Sequence, residues 1–215
     1  MAKLVIGTSK SVVVPAVVKE VTPVEPYPLL SRVKDDSNNE IGTVSGYFTD
    51  ANNQKYAVVC LDAQYRGGGV VYLSGQVEVT GLALLNKQTL WENTDTATWN
   101  CDKIMDFITN NPTYTSTAVS FCRNKSFIIG GVTYFGQLPN IVELIDVFRH
   151  RTSINNADPT ATQYSSWIVP SNNPTLSSSQ AKAKYCWSVS DEGGVSQYNK
   201  DLYRFAIPVL EIPIN

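Results

Sequence analysis

Two short stretches with helical hydrophobic spacing stand between runs of β-branched and alternating residues, and this interleaving restricts the possible folds more than any other feature. Cys101, Ile104, Met105 and Ile108 recur at i, i+3, i+4 and i+7, and Ile141, Leu144, Ile145 and Phe148 repeat the pattern. That spacing puts four apolar side chains on one helical face in each case. The first helix has Thr98 or Asn100 available as a cap and stops at Asn110-Asn111-Pro112. The second has Pro139 near its first turn, where a missing N–H costs nothing. An amphipathic helix needs a surface to cover, and the strand-like runs supply one. Segments 41–48 and 55–61 flank the polar connector Thr49-Asp50-Ala51-Asn52-Asn53-Gln54, and 126–135 folds back through Gly130-Gly131. Segments 184–190, 194–199 and 203–212 read as a closing meander. The expected class is α+β, with two helices packed on antiparallel sheet.

Between these elements the chain is less regular. Gly67-Gly68-Gly69 leads into Val70-Val71-Tyr72-Leu73, which lacks the helix and Lys-Ser/Thr start of a phosphate cradle and reads as a flexible loop before a strand. Segment 77–85 is a further apolar run, and 151–183 is loop-like, rich in Ser, Thr, Asn and Pro, with a strand only at 166–169. At the amino end, Val12, Val13, Val14, Val17 and Val18 crowd a segment punctuated by Pro15, Pro23, Pro26 and Pro28. Proline fixes φ and removes a donor, so 1–28 is expected to be extended and stiff, unable to fold alone. It is either a docking arm that pairs with another chain or an edge strand on its own domain. A length of 215 residues allows one sizeable domain, 29–215, with 29–90 a β-rich subregion.

Composition excludes several classes. A formal net charge of -2 and the lack of any Lys/Arg run give nucleic-acid binding no electrostatic driver. The apolar stretch 4–18 is broken by Lys10, Ser11 and Pro15, so it reads as neither a membrane anchor nor a signal peptide. Synthesis in a cytoplasm without membrane insertion is expected. Cys60, Cys101, Cys122 and Cys186 are far apart and read as small buried thiols, with two disulfides as the alternative. His150, the sole histidine, falls at the predicted end of the second helix, where it favours the carboxyl terminus of the dipole. Neither a catalytic base nor a zinc site is expected, and no metal or cofactor is assigned. Asn155-Asn156-Ala157-Asp158-Pro159 offers only part of a calcium shell. Glu143 and Asp146 share a helical face, read as the solvated side.

Charged residues are only 17% of the chain, and aromatics gather in its last third: Tyr164, Trp167, Tyr185, Trp187, Tyr198 and Tyr203. Aromatics among Asn, Ser and Gln are what sugar- and protein-binding faces use. Alternation places Tyr185, Trp187 and Val189 on one side of a strand, toward the core. Tyr164, Tyr198 and Tyr203 are the candidate ligand-binding residues.

The order of strands, helix, hairpin, helix, long loop and terminal meander is similar to that of C-type-lectin-like domains. The stretches Phe121-Cys122-Arg123-Asn124-Lys125-Ser126, Gly136-Gln137-Leu138-Pro139-Asn140-Ile141, 154–161 and Ile207-Pro208-Val209-Leu210-Glu211-Ile212 resemble a group of Bacteroidales phage and prophage proteins. Leu176-Ser177-Ser178-Ser179 and Asp191-Glu192-Gly193 stand where that group often has a Trp-Ser-Ser/Thr segment and an Asp-Gly turn. The resemblance covers about 40–215 and implies a virion appendage, most nearly a head-fibre protein of crAss-like phages. It implies docking on capsid or other virion proteins and a position on the virion surface; linked copies raise the avidity of weak contacts, so a homotrimer or homodimer is expected, and adhesion to a host-surface glycan is a neighbouring reading. Formylglycine-generating enzymes share the related scaffold, so an enzyme of that kind is the alternative, with a cargo or scaffold protein as a third. Calcium motifs of the lectin type are absent, since Leu138-Pro139-Asn140 lacks the acid.

Overall fold

The computed structural model describes residues 26–161, 174–190 and 192–214. They form an α+β structure of eleven strands and four helices. Strands β1 (Arg32–Lys34), β2 (Glu40–Thr49) and β3 (Lys55–Leu61) begin a sheet that β11 (Val209–Ile214) completes, in the antiparallel order β1-β2-β3-β11. Strands β4 (Gly67–Val70), β7 (Thr175–Lys182), β8 (Tyr185–Val189), β9 (Val195–Asn199) and β10 (Arg204–Ala206) form a second sheet in the order β4-β10-β7-β8-β9. Its β10–β7 pair is parallel and the rest are antiparallel. A separate hairpin joins β5 (Ser126–Ile129) to β6 (Val132–Phe135). The helices are α1 (Ala97–Asn110), α2 (Thr117–Arg123), α3 (Ile141–Arg149) and α4 (Arg151–Ala157).

Three buried clusters hold the layers together. Leu144, Val147 and Phe148 of α3 meet Val58 and Cys60 of the first sheet and Trp187 and Val189 of the second. Cys101 and Ile104 of α1, with Val119 and Cys122 of α2, cover the opposite face of the second sheet at Leu176 and Cys186. Ala57, Val59, Leu210 and Ile212 point to the other side of the first sheet, where Phe127, Ile129 and Tyr134 of the hairpin pack on them. Alternation along β3 and β11 therefore buries both faces of the first sheet. Gly42 marks how closely β2 approaches β3: a Cβ there would lie 2.5 Å from the Cys60 carbonyl oxygen. Gly42→Ala is expected to lower stability by about 1–3 kcal/mol, measured by urea unfolding.

Several expectations change. Among the described residues there are four α-helices rather than two, because α2 and α4 span only seven residues each and carry too short a repeat to read. The cap of α1 is Thr96, whose side chain accepts from the Trp99 N–H, so this helix starts earlier than Thr98 or Asn100 would place it. Gly67, Gly68 and Gly69 belong to a strand, with the Phe121 ring against Gly67 and the Phe205 ring against Gly68. The apolar run 77–85 lies between the named strands and buries Val79, Leu82 and Leu85. The loop expected over 151–183 contains α4 and β7; the strand proposed at 166–169 lies outside the described residues. The expected closing meander divides at Ile207-Pro208, so β10 ends in the second sheet and β11 crosses to the first. Strands from 29–90 thus pair with the carboxyl-terminal strands, β3 with β11 and β4 with β10.

Candidate functional site

Of the tyrosines proposed as ligand-binding, Tyr198 and Tyr203 come together where β9 turns into β10. Tyr198 is half-buried, with the Arg204 guanidinium 4.8 Å from its ring centroid, and Tyr203 is 69% exposed. Leu202 beside it is also exposed. Tyr164 lies outside the described residues, as do Val12, Val13, Val14, Val17 and Val18 of the arm. Tyr185, Trp187 and Val189 face the core as the alternation requires, and the Trp187 indole donates to the Leu85 carbonyl at 3.0 Å.

A larger concavity, of about 680 Å3, opens between the β2–β3 turn, the loop around Leu82 and the start of α1. Sequence reasoning did not find it. Asp50 fixes the turn: its Oδ1 accepts from the Asn52 and Gln54 N–H groups at 2.8 and 2.9 Å, and the Tyr56 hydroxyl approaches its Oδ2 at 3.4 Å. Trp99, in the first turn of α1, is 47% exposed in the cleft, with the Lys103 ammonium 4.3 Å over its ring. The Asp95 carbonyl accepts from Asn140, but its carboxylate has no hydrogen-bond partner among the described residues, and partial burial pushes its pKa up. One signal for Trp99 was present in the sequence. It sits two residues before Cys101, well away from the apolar stripe of its own helix.

Behind the cleft lies a buried carboxyl pair. Glu211 of β11 caps α1, accepting from the Ala97 and Thr98 N–H groups at 2.8 and 2.9 Å and from the Thr98 hydroxyl at 2.6 Å. Glu143 was expected on a solvated helix face, but it is only 2% exposed. Its Oε2 accepts from the Asn140 N–H at 2.8 Å in a capping box that starts α3. Burial, and then the neighbouring Glu211 carboxylate, drive the Glu143 pKa well above the usual carboxylate range. Asp146, its expected companion, is half-buried, and burial raises its pKa against the pull of Arg149.

The remaining reactive groups are engaged in structure. All four cysteines are free and buried; burial raises Cys60 to about 11 and both Cys101 and Cys186 to about 12. A buried thiol with so high a pKa supplies little thiolate at neutral pH. His150 ends α3, with its Nδ1 2.8 Å from the Ser45 carbonyl oxygen. The segment considered for calcium is occupied otherwise: Asn155 lies in α4, and the Asp158 carboxylate is taken by Arg66, Thr160 and the Ala63 N–H. Among the described residues no cluster of His, Cys, Asp and Glu fits a metal ion, and no helix is long and apolar enough to cross a membrane. Comparison with protein-family profiles, curated proteins and solved structures finds no match for the chain.

Proposed function

We propose that this protein is a non-enzymatic virion surface protein of the head-fibre kind, docked through its amino-terminal arm and displaying a C-type-lectin-like domain. The observation that carries this reading is a separation of faces. Tyr27, where the arm joins the domain, packs with the third cluster, and its carbonyl accepts from the Tyr47 hydroxyl at 2.9 Å. Tyr47 pairs with Ala57, whereas Tyr56 of the cleft pairs with Phe48 and so points to the other face of the first sheet. A body held by the arm on one face keeps the cleft on the other face free. The order of strands, α1 and α2, hairpin, α3 and α4, and then the remaining strands of the second sheet is what supports the lectin-like reading. Display suits a surface poor in charge, and several copies in a trimer or dimer would raise the avidity of weak contacts.

The test removes residues 1–25, leaving Tyr27 and the domain intact. The full-length chain is expected to co-purify with assembled capsids and the shortened chain to be lost from them, with equal thermal stability of the two. Retention of the shortened chain on particles, or absence of both from mature particles, overturns the reading.

A further inference from the structure

We propose that the cleft between the β2–β3 turn and the start of α1 binds a neutral pyranose sugar. This deepens the display function above and rests on it only for biological purpose; the binding itself is a property of the domain. A sugar ring has one apolar C–H face and a rim of hydroxyls, so a protein recognises it with an aromatic plane and fixed polar groups beside it. The cleft holds both. Trp99 offers a large aromatic surface that folding leaves half in water, and Lys103, packed between Gly81 and the indole, steadies the ring. Tyr56 gives a second aromatic wall, tied to Asp50 through its hydroxyl. Asp50 is locked by the N–H groups of its own turn, so its position is set before any ligand arrives.

The polar side of the site selects the class. Among the described residues the half-buried Asp95 carboxylate is an acceptor left without a donor, in a place where solvation is already partly lost. Sugar hydroxyls are donors that fit it, and Asn52 on the turn adds an amide-bearing residue to the lining. Two carboxylates lining one concavity repel sialic acids, sulfated sugars and phosphates. Lys103, one turn along α1 from Trp99, is directed onto the Trp99 ring. The expected ligand is therefore uncharged.

The experiment titrates the full-length protein with maltotriose, N-acetyllactosamine and chitotriose, following tryptophan fluorescence and saturation-transfer NMR, with sialyllactose as the acidic control. At least one neutral probe is expected to bind at millimolar concentration and sialyllactose to bind more weakly. Trp99→Ala is expected to weaken binding by about tenfold or more and Asp95→Asn by several-fold, with Trp99→Tyr recovering part of the loss. Unchanged melting curves would show that the effects are local. Silence across the three neutral probes, or binding that survives both Trp99→Ala and Asp95→Asn, overturns the proposal. Capsid attachment of the Trp99→Ala protein reads the docking function separately, because the arm joins on the opposite face.

Discussion

Replacing Asp158 by alanine is expected to destabilise the protein by about 3–5 kcal/mol, because it removes the carboxylate that faces a buried guanidinium and several buried donors. Asp158 follows α4 and Arg66 follows β3, and both side chains are fully buried. The Asp158 Oδ2 faces the Arg66 Nη2 at 3.3 Å and accepts from the Ala63 N–H at 2.7 Å. Its Oδ1 accepts from the Thr160 N–H and hydroxyl at 2.8 and 2.7 Å. The Arg66 Nε also donates to the Leu61 carbonyl at 2.8 Å. Removing the carboxylate takes away an ionic contact of the buried guanidinium and leaves two N–H groups and a hydroxyl without their acceptor, each costly to the extent that it is buried. Removing both charges is a different matter, since desolvation of the pair offsets much of its attraction. Asp158→Ala with Arg66→Met is therefore expected to recover a large part of the loss. Urea unfolding of the two single variants and the double variant measures the coupling. A single-variant loss below about 1 kcal/mol would show that water reaches the pair and that the contact is a surface one.

How much of this was legible depends on whether one element or several determine the feature. Helices α1 and α3 were readable because each carries two turns of apolar periodicity, and β2, β3 and the β5–β6 hairpin because they alternate between polar connectors. Strand β7 was not readable, since its Ser177-Ser178-Ser179 run has the composition of a loop. Those serines are buried because other elements satisfy them. Ser177 donates to the Trp187 carbonyl, Ser178 accepts from Asn100, and Ser179 accepts from the Ile141 N–H at the start of α3. A single sequence shows the polar residues and hides the partners that make their burial affordable.

The same limit applies to the sites. The cleft draws on three separated loops around Asp50, Leu82 and Asp95, and no local pattern joins them. The buried Lys200 is similar: its ammonium is held by Gln180 and by the Val77 carbonyl, from segments remote in the chain. Glu143 had a local signal, the Asn140-x-x-Glu143 spacing of a capping box. Helical polarity alone assigned it to water, because the strand that buries it, β11, comes far later in the sequence.

That burial leads to the second large effect, which depends on pH. Among the described residues the Glu143 Oε1 accepts from no donor, and Glu211 is the carboxylate beside it; only a protonated Glu143 has a hydrogen to give to Glu211. Its folded pKa is raised above the unfolded value, so the stability it contributes is fully present below the unfolded pKa. That stability is lost as pH rises from there through the folded pKa. Within this window the loss runs at about 1.4 kcal/mol per pH unit. Glu143→Gln keeps the shape, can still accept from the Asn140 N–H, and carries a permanent donor for Glu211. The variant is expected to match the native protein near the ordinary glutamate pKa, about 4.3, and to exceed its melting temperature increasingly toward about pH 8. Parallel stability curves for the two proteins would mean that Glu143 ionises in the fold as freely as in water. Glu211→Ala tests the other partner: it exposes the first N–H groups of α1 and is expected to cost about 2–4 kcal/mol. That loss should appear at both ends of the pH range, because the capping contacts of Glu211 are lost whether or not Glu143 carries its proton.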